Sequence, residues 1–116
     1  MKIIYLDNNA TTKIAPEVYE EMIPYFTEDY FNPSSMYDAA RETGRAVAVA
    51  RKSIAECLGN VDTKEVLFTG CATESNNTAI LGAARANPNR RHIITTAVEH
   101  PAVLEVCKEL ERDGYK

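Results

Sequence analysis

The chain has 116 residues, 13 basic and 17 acidic, with a formal net charge of −4 and 45% hydrophobic content. No basic patch with interleaved aromatics points to nucleic acid, and no apolar run is long enough to span a bilayer. Cys57, Cys71 and Cys107 are odd in number and unpaired in spacing, and with His92 and His100 they give no short ligand pairs, so neither a disulfide framework nor a metal site is expected. Asp7 follows Met1-Lys2-Ile3-Ile4-Tyr5-Leu6 too early for a signal peptide, and we expect a cytoplasmic protein.

In chain order, residues 3–6 predict a short apolar strand, followed by a polar loop from Asp7 to Thr12. A helix is expected from Pro16, with Val18, Met22 and Phe26 in one stripe and Tyr19 and Ile23 beside it. Pro24 lies inside that pattern and should kink or shorten the helix. Asp29 to Ser35 reads as loop, with Asn32-Pro33 as its turn signal. Ser34 or Ser35 is expected to cap a long helix ending at Leu58, stopped by Gly59. Ala40, Gly44, Val47, Arg51, Ile54 and Leu58 share a face of that helix, from which Arg51 would have to snorkel outward.

Strand, helix, strand, helix then follow. Val66-Leu67-Phe68-Thr69 predicts a buried strand, and a helix from about Thr73 to Ala86 is apolar and small-residue nearly all round. His92 to Val98 predicts the next strand, and Pro101 to Arg112 the last helix, with Val103, Leu104, Cys107 and Leu110 inward. Lys108, Glu109, Glu111 and Arg112 fall on its outer face. The alternation predicts an α/β fold whose two main strands are parallel members of a sheet.

The connection Thr69-Gly70-Cys71-Ala72-Thr73-Glu74-Ser75-Asn76-Asn77 carries the most chemistry. A glycine turn that opens a helix brings together free N–H groups and the positive end of the helix dipole, which suits an anion. Thr73 adds a hydroxyl donor. An ordinary strand-to-helix turn without a ligand fits the same spacing. His100 sits at the end of a predicted strand, where α/β proteins collect ligands, and Pro101 suits the first position of the helix behind it. Its imidazole can lie on an aromatic ligand or move a proton near neutral pH, or simply be a satisfied polar group. A thiol at a helix start such as Cys71 can be reactive.

Four blocks in order resemble the amino-terminal part of cysteine desulfurases of the NifS/IscS type, in the class V aminotransferase group with the type I pyridoxal-phosphate fold. They are Tyr5-Leu6-Asp7-Asn8-Asn9-Ala10-Thr11-Thr12, Asn32-Pro33-Ser34-Ser35, Phe68 to Asn77, and Thr95 to Leu104. Tyr37 departs from the family pattern, in which many members have histidine. The resemblance implies an incomplete mixed, mostly parallel sheet with helices on both faces. Residues 1–15 would belong to the small domain of the parent enzyme and 16–116 to the first part of its large cofactor-binding domain.

The resemblance also implies pyridoxal 5'-phosphate as cofactor, with Ala72 and Thr73 on its phosphate and His100 stacked on its ring as a catalytic proton carrier. Asn8, Ala10, Thr11 and Asn32 would lie toward the substrate. Cys71 is not the family's persulfide cysteine. That cysteine, the cofactor-binding lysine in its Ser-x-His-Lys setting, the aspartate at the pyridine nitrogen and the substrate-gripping arginine are expected beyond Lys116. We therefore expect a piece of a longer protein, without desulfurase turnover as residues 1–116 alone.

The parent would be a homodimer that converts L-cysteine to L-alanine. It would pass persulfide sulfur to an acceptor or scaffold protein for iron–sulfur or nitrogenase cofactor assembly. A selenocysteine lyase, another class V aminotransferase, or an oligomerising or binding module from a truncated gene are the alternatives. In the family's sheet, the strands matching 66–69 and 93–98 are separated by later ones, so unpaired edges open to another copy are expected.

Overall fold

The computed structural model describes residues 3–116. It divides into two compact units, one ending at Val66 and the other spanning Leu67–Lys116.

In the first unit, residues 3–6 are exposed and form no strand. An isolated apolar run has extended propensity, but it becomes a strand only against a partner. Asp7 to Thr11 is a turn, with the Ala10 N–H donating to the Asp7 carbonyl at 3.1 Å. Helix α1 (Pro16–Met22) starts on its proline, and α2 (Pro24–Thr27) starts on the next one. Pro24 thus splits the expected helix, because it has no N–H to continue the hydrogen-bond ladder.

Helix α3 (Asp38–Cys57) follows a loop in which Asn32 Oδ1 accepts from the Ser34 N–H at 2.9 Å. The expected serine caps are not used. Tyr37 is the N-cap and gives no side-chain bond, while the Asn32 turn engages the backbone of Ser34 and Ser35. The helix ends as predicted: Gly59 at φ 92° and Asn60 at φ 61° take the left-handed conformation. Ala40 and Ala55 are buried along α3, and Gly44 lets the helix close on Pro33, whose carbonyl would stand 3.2 Å from an added Cβ. Arg51 does not snorkel to water; its guanidinium donates to the Val66 carbonyl. Before Val66, a single 3₁₀ turn (Thr63–Glu65) is capped reciprocally by Asp62 and Glu65.

The second unit holds α4 (Ala72–Ala86) and α5 (Pro101–Arg112), packed through Ala84, Val106 and Leu110. Ile80, Leu81, Ile93 and Tyr115 close around that core. The inward face expected for α5 is right at Leu110, but it rotates to include Ala102 and Val106; Val103, Leu104 and Cys107 are only half-buried. Helix α4 is less enclosed than its composition predicts, since Ala84 is its one buried residue within this chain. Small residues permit close packing on every side, but they do not supply the neighbours.

No strand forms at 66–69 or 92–98 among the described residues. The parallel character of the second segment is nevertheless visible in two bonds. The Lys116 N–H donates to the Arg91 carbonyl at 2.9 Å, and the Ile93 N–H donates to the Lys116 carbonyl at 2.8 Å. One residue straddling two on the facing segment is the pattern of a parallel pair. Segment 91–93, helix α5 and Lys116 therefore form the beginning of a strand–helix–strand unit. Its return is fixed by Gly114 at φ 87°, from which the N–H donates to Glu111 while the Tyr115 N–H reaches Leu110. The Tyr115 hydroxyl donates to the Ala84 carbonyl at 3.2 Å, and Arg91 lies 4.2 Å above its ring.

Candidate functional site

The site is built in the second unit, where the starts of α4 and α5 flank one hollow. Leaving the extended run at Phe68, the chain turns through Gly70 and Cys71 into α4. The turn is braced from within. Thr69 Oγ1 and Ser75 Oγ are 2.6 Å apart, Thr69 Oγ1 donates to the Cys71 carbonyl, and Glu74 Oε2 accepts from the Gly70 N–H at 2.7 Å. Cys71, the N-cap, provides no side-chain bond. The first-turn amides of Ala72 and Thr73 thus have no N-cap side chain to satisfy them, which is what an anion at a helix start requires.

Helix α5 starts differently. His100 is its N-cap, and Nδ1 accepts from the Ala102 N–H at 3.1 Å. Histidine is not among the residues that favour this position; the sequence signal for the helix start was Pro101.

Thr73 and Asn77 from α4 and His100, Pro101, Ala102, Glu105 and Val106 from α5 line a single hollow of about 310 Å³. The structure thus brings Thr73 and His100 to the lining of one hollow. Ala72 stands beside Thr73 in the same helical turn. Asn77, missed by sequence reasoning, lines the hollow and donates from Nδ2 to the Thr73 carbonyl at 2.7 Å. Its spacing from Thr73, one helical turn, was the available signal. Glu105 is the second addition. Its carboxyl is held below the usual carboxylate range by hydrogen bonding to Lys108, Nζ to Oε1 2.7 Å, and by the charges of Lys108 and Arg112.

Asn8, Ala10, Thr11 and Asn32 lie in the first unit, all exposed, in the turn after Asp7 and in the loop before α3. The Asn32 side chain is engaged in its own turn.

The arrangement fits a phosphate-bearing aromatic cofactor in its chemistry: the Thr73 hydroxyl and the His100 imidazole line one hollow within the usual range for small ligands, beside first-turn amides of α4 that no N-cap side chain satisfies.

Comparison with known proteins identifies the family. Residues 4–116 match the aminotransferase class-V family, and the chain belongs to it. It carries the α/β architecture of the type I pyridoxal-phosphate fold in part. It is 56% identical over 115 residues to a cysteine desulfurase of Trichormus azollae, and 49% identical over 115 residues to the cysteine desulfurase NifS of Azotobacter vinelandii. In each case 99% of this chain is covered but only 28% and 29% of the relative. Among solved structures, a NifS-like protein superposes with TM-score 0.88 at 43% identity, covering 97% of this chain and 31% of that one. DndA from Streptomyces lividans gives TM-score 0.77 at 37% identity, covering 97% and 32%.

Proposed function

We propose that this chain is the amino-terminal cofactor-binding segment of a pyridoxal-phosphate-dependent cysteine desulfurase. The observation that carries the reading is the shared hollow of Thr73 and His100 at two helix starts. Ala72 and Thr73 hold the phosphate through first-turn amides and the Thr73 hydroxyl. His100 lies against the pyridine ring, and Asn77 fixes the Thr73 turn from one turn further along α4. When bound, the cofactor supplies an electron sink for the substrate's α-carbon. Glu105 faces the same hollow paired to Lys108, which offsets its charge near the cofactor.

In the complete protein, L-cysteine would be the substrate, L-alanine the product, and an acceptor protein the recipient of the sulfur. Asn8, Ala10, Thr11 and Asn32 would serve the substrate end, residues 1–15 the small domain and residues 16–116 the large one. The complete protein would be a cytoplasmic homodimer. Similarity to relatives named cysteine desulfurase supports this reading over selenocysteine lyase.

Equilibrium dialysis against pyridoxal phosphate and against pyridoxal tests the site. Preference for the phosphate form, abolished by Thr73→Val, is expected. Equal retention of both, or an unchanged Thr73→Val variant, would overturn it. In a protein carrying this segment at the relatives' full length, L-cysteine should yield L-alanine and a protein persulfide.

A further inference from the structure

The geometry points to a fixed tautomer for His100: the neutral ring carries its proton on Nε2, so an atom of a ligand that reaches this nitrogen meets a hydrogen-bond donor. The Ala102 N–H can only donate, and it is 3.1 Å from Nδ1. A nitrogen that accepts from it must be unprotonated, so the proton of the neutral imidazole resides on Nε2. The donor is itself held in place. Ala102 is buried at the second position of α5, where a backbone N–H has no acceptor within the helix. Pro101 precedes it with a fixed φ and no N–H of its own to compete.

This restricts what the side chain can do. With Nε2 already protonated and Nδ1 engaged, taking up a second proton means placing it on Nδ1, against the Ala102 N–H. The cap must break first, and the ring must turn away from α5. While it is capped, His100 offers an N–H to an acceptor atom on a ligand, such as a phenolate or carboxylate oxygen. What the Nε2–H meets rests on the cofactor reading above; the tautomer itself does not.

Nuclear magnetic resonance of the ¹⁵N-labelled protein tests this without any ligand. The ring of His100 is distinguished from that of His92 by the variant His92→Gln. An acceptor-type shift at Nδ1, a protonated-type shift at Nε2 and a scalar coupling between the Ala102 amide nitrogen and Nδ1 across the hydrogen bond are expected. A proton on Nδ1, or no coupling to the Ala102 amide, would overturn the inference. Because no cofactor is added, failure of the phosphate site would leave this result unchanged, and the dialysis experiment reports on that site separately.

Discussion

At the residue scale, the proposed site gives Thr73 and His100 separable duties. There the Thr73 hydroxyl would make one charge-assisted bond, worth about 1.5–3 kcal/mol, so Thr73→Val should weaken pyridoxal-phosphate binding roughly tenfold to a hundredfold. His100 caps α5 as well as facing the hollow. His100→Ala should therefore cost about 0.5–2 kcal/mol in urea unfolding, whereas His100→Asn, a better cap, should restore that stability and still bind the cofactor poorly. If both variants bind normally, the ring has no ligand role.

Glu105 makes a pH prediction. Its carboxyl is lowered first by the hydrogen bond to Lys108 and then by charge, so the stabilising interaction is complete above its unfolded-state pKa and is lost as pH falls through the lower folded value. Lys108→Met should raise the Glu105 titration midpoint toward the ordinary carboxylate range, read from its side-chain carbon resonance. An unmoved midpoint would exclude Lys108 as the cause.

At the element scale, the helix punctuation was legible in the sequence. Pro16 and Pro101 mark helix starts, Pro24 an interruption and Gly59 a stop, because each residue's own backbone restriction or freedom decides the matter. The cap at Ser34 or Ser35 was not legible, since Asn32 competes for the same backbone through a local turn. The His100 cap was hidden for the opposite reason: its residue type rarely fills that role. Two glycines test this reasoning in opposite directions. Gly114 has φ 87° and ends α5, so Gly114→Ala should destabilise by about 1–2 kcal/mol. Gly82 lies within α4 with nothing within 4 Å of an added Cβ, so Gly82→Ala should stabilise by about 0.5–1 kcal/mol. Denaturant midpoints that moved together would contradict the distinction.

At the scale of the whole molecule, the α/β class was readable, but strand formation was not. Periodicity identifies which runs are extended and apolar; it cannot provide a neighbour for their backbone groups. Ile94 and Val98 are each 91% exposed, and the parallel pairing reaches only residues 91–93 through Lys116. Amide hydrogen exchange should divide accordingly, with protection along the inner face of α5 at Val106 and Leu110 and fast exchange at 94–98. Slow exchange at 94–98 would mean those amides have partners, within the chain or in another copy. Thr73 and His100 stood out in the sequence through local rules, a glycine turn and a proline at a helix start. Their convergence on one hollow needed the packing of α4 on α5 through Ala84, Val106 and Leu110.

In the proposed site, one ligand engages the start of α4 and the His100 ring at once. Adding pyridoxal phosphate to the labelled protein while recording the amides of Ala72 and Thr73 and the ring nitrogens of His100 tests it most directly. We predict that all of these resonances shift along a common saturation curve that Thr73→Val displaces to higher concentration. Movement of the amides without the imidazole, or of neither, would contradict it.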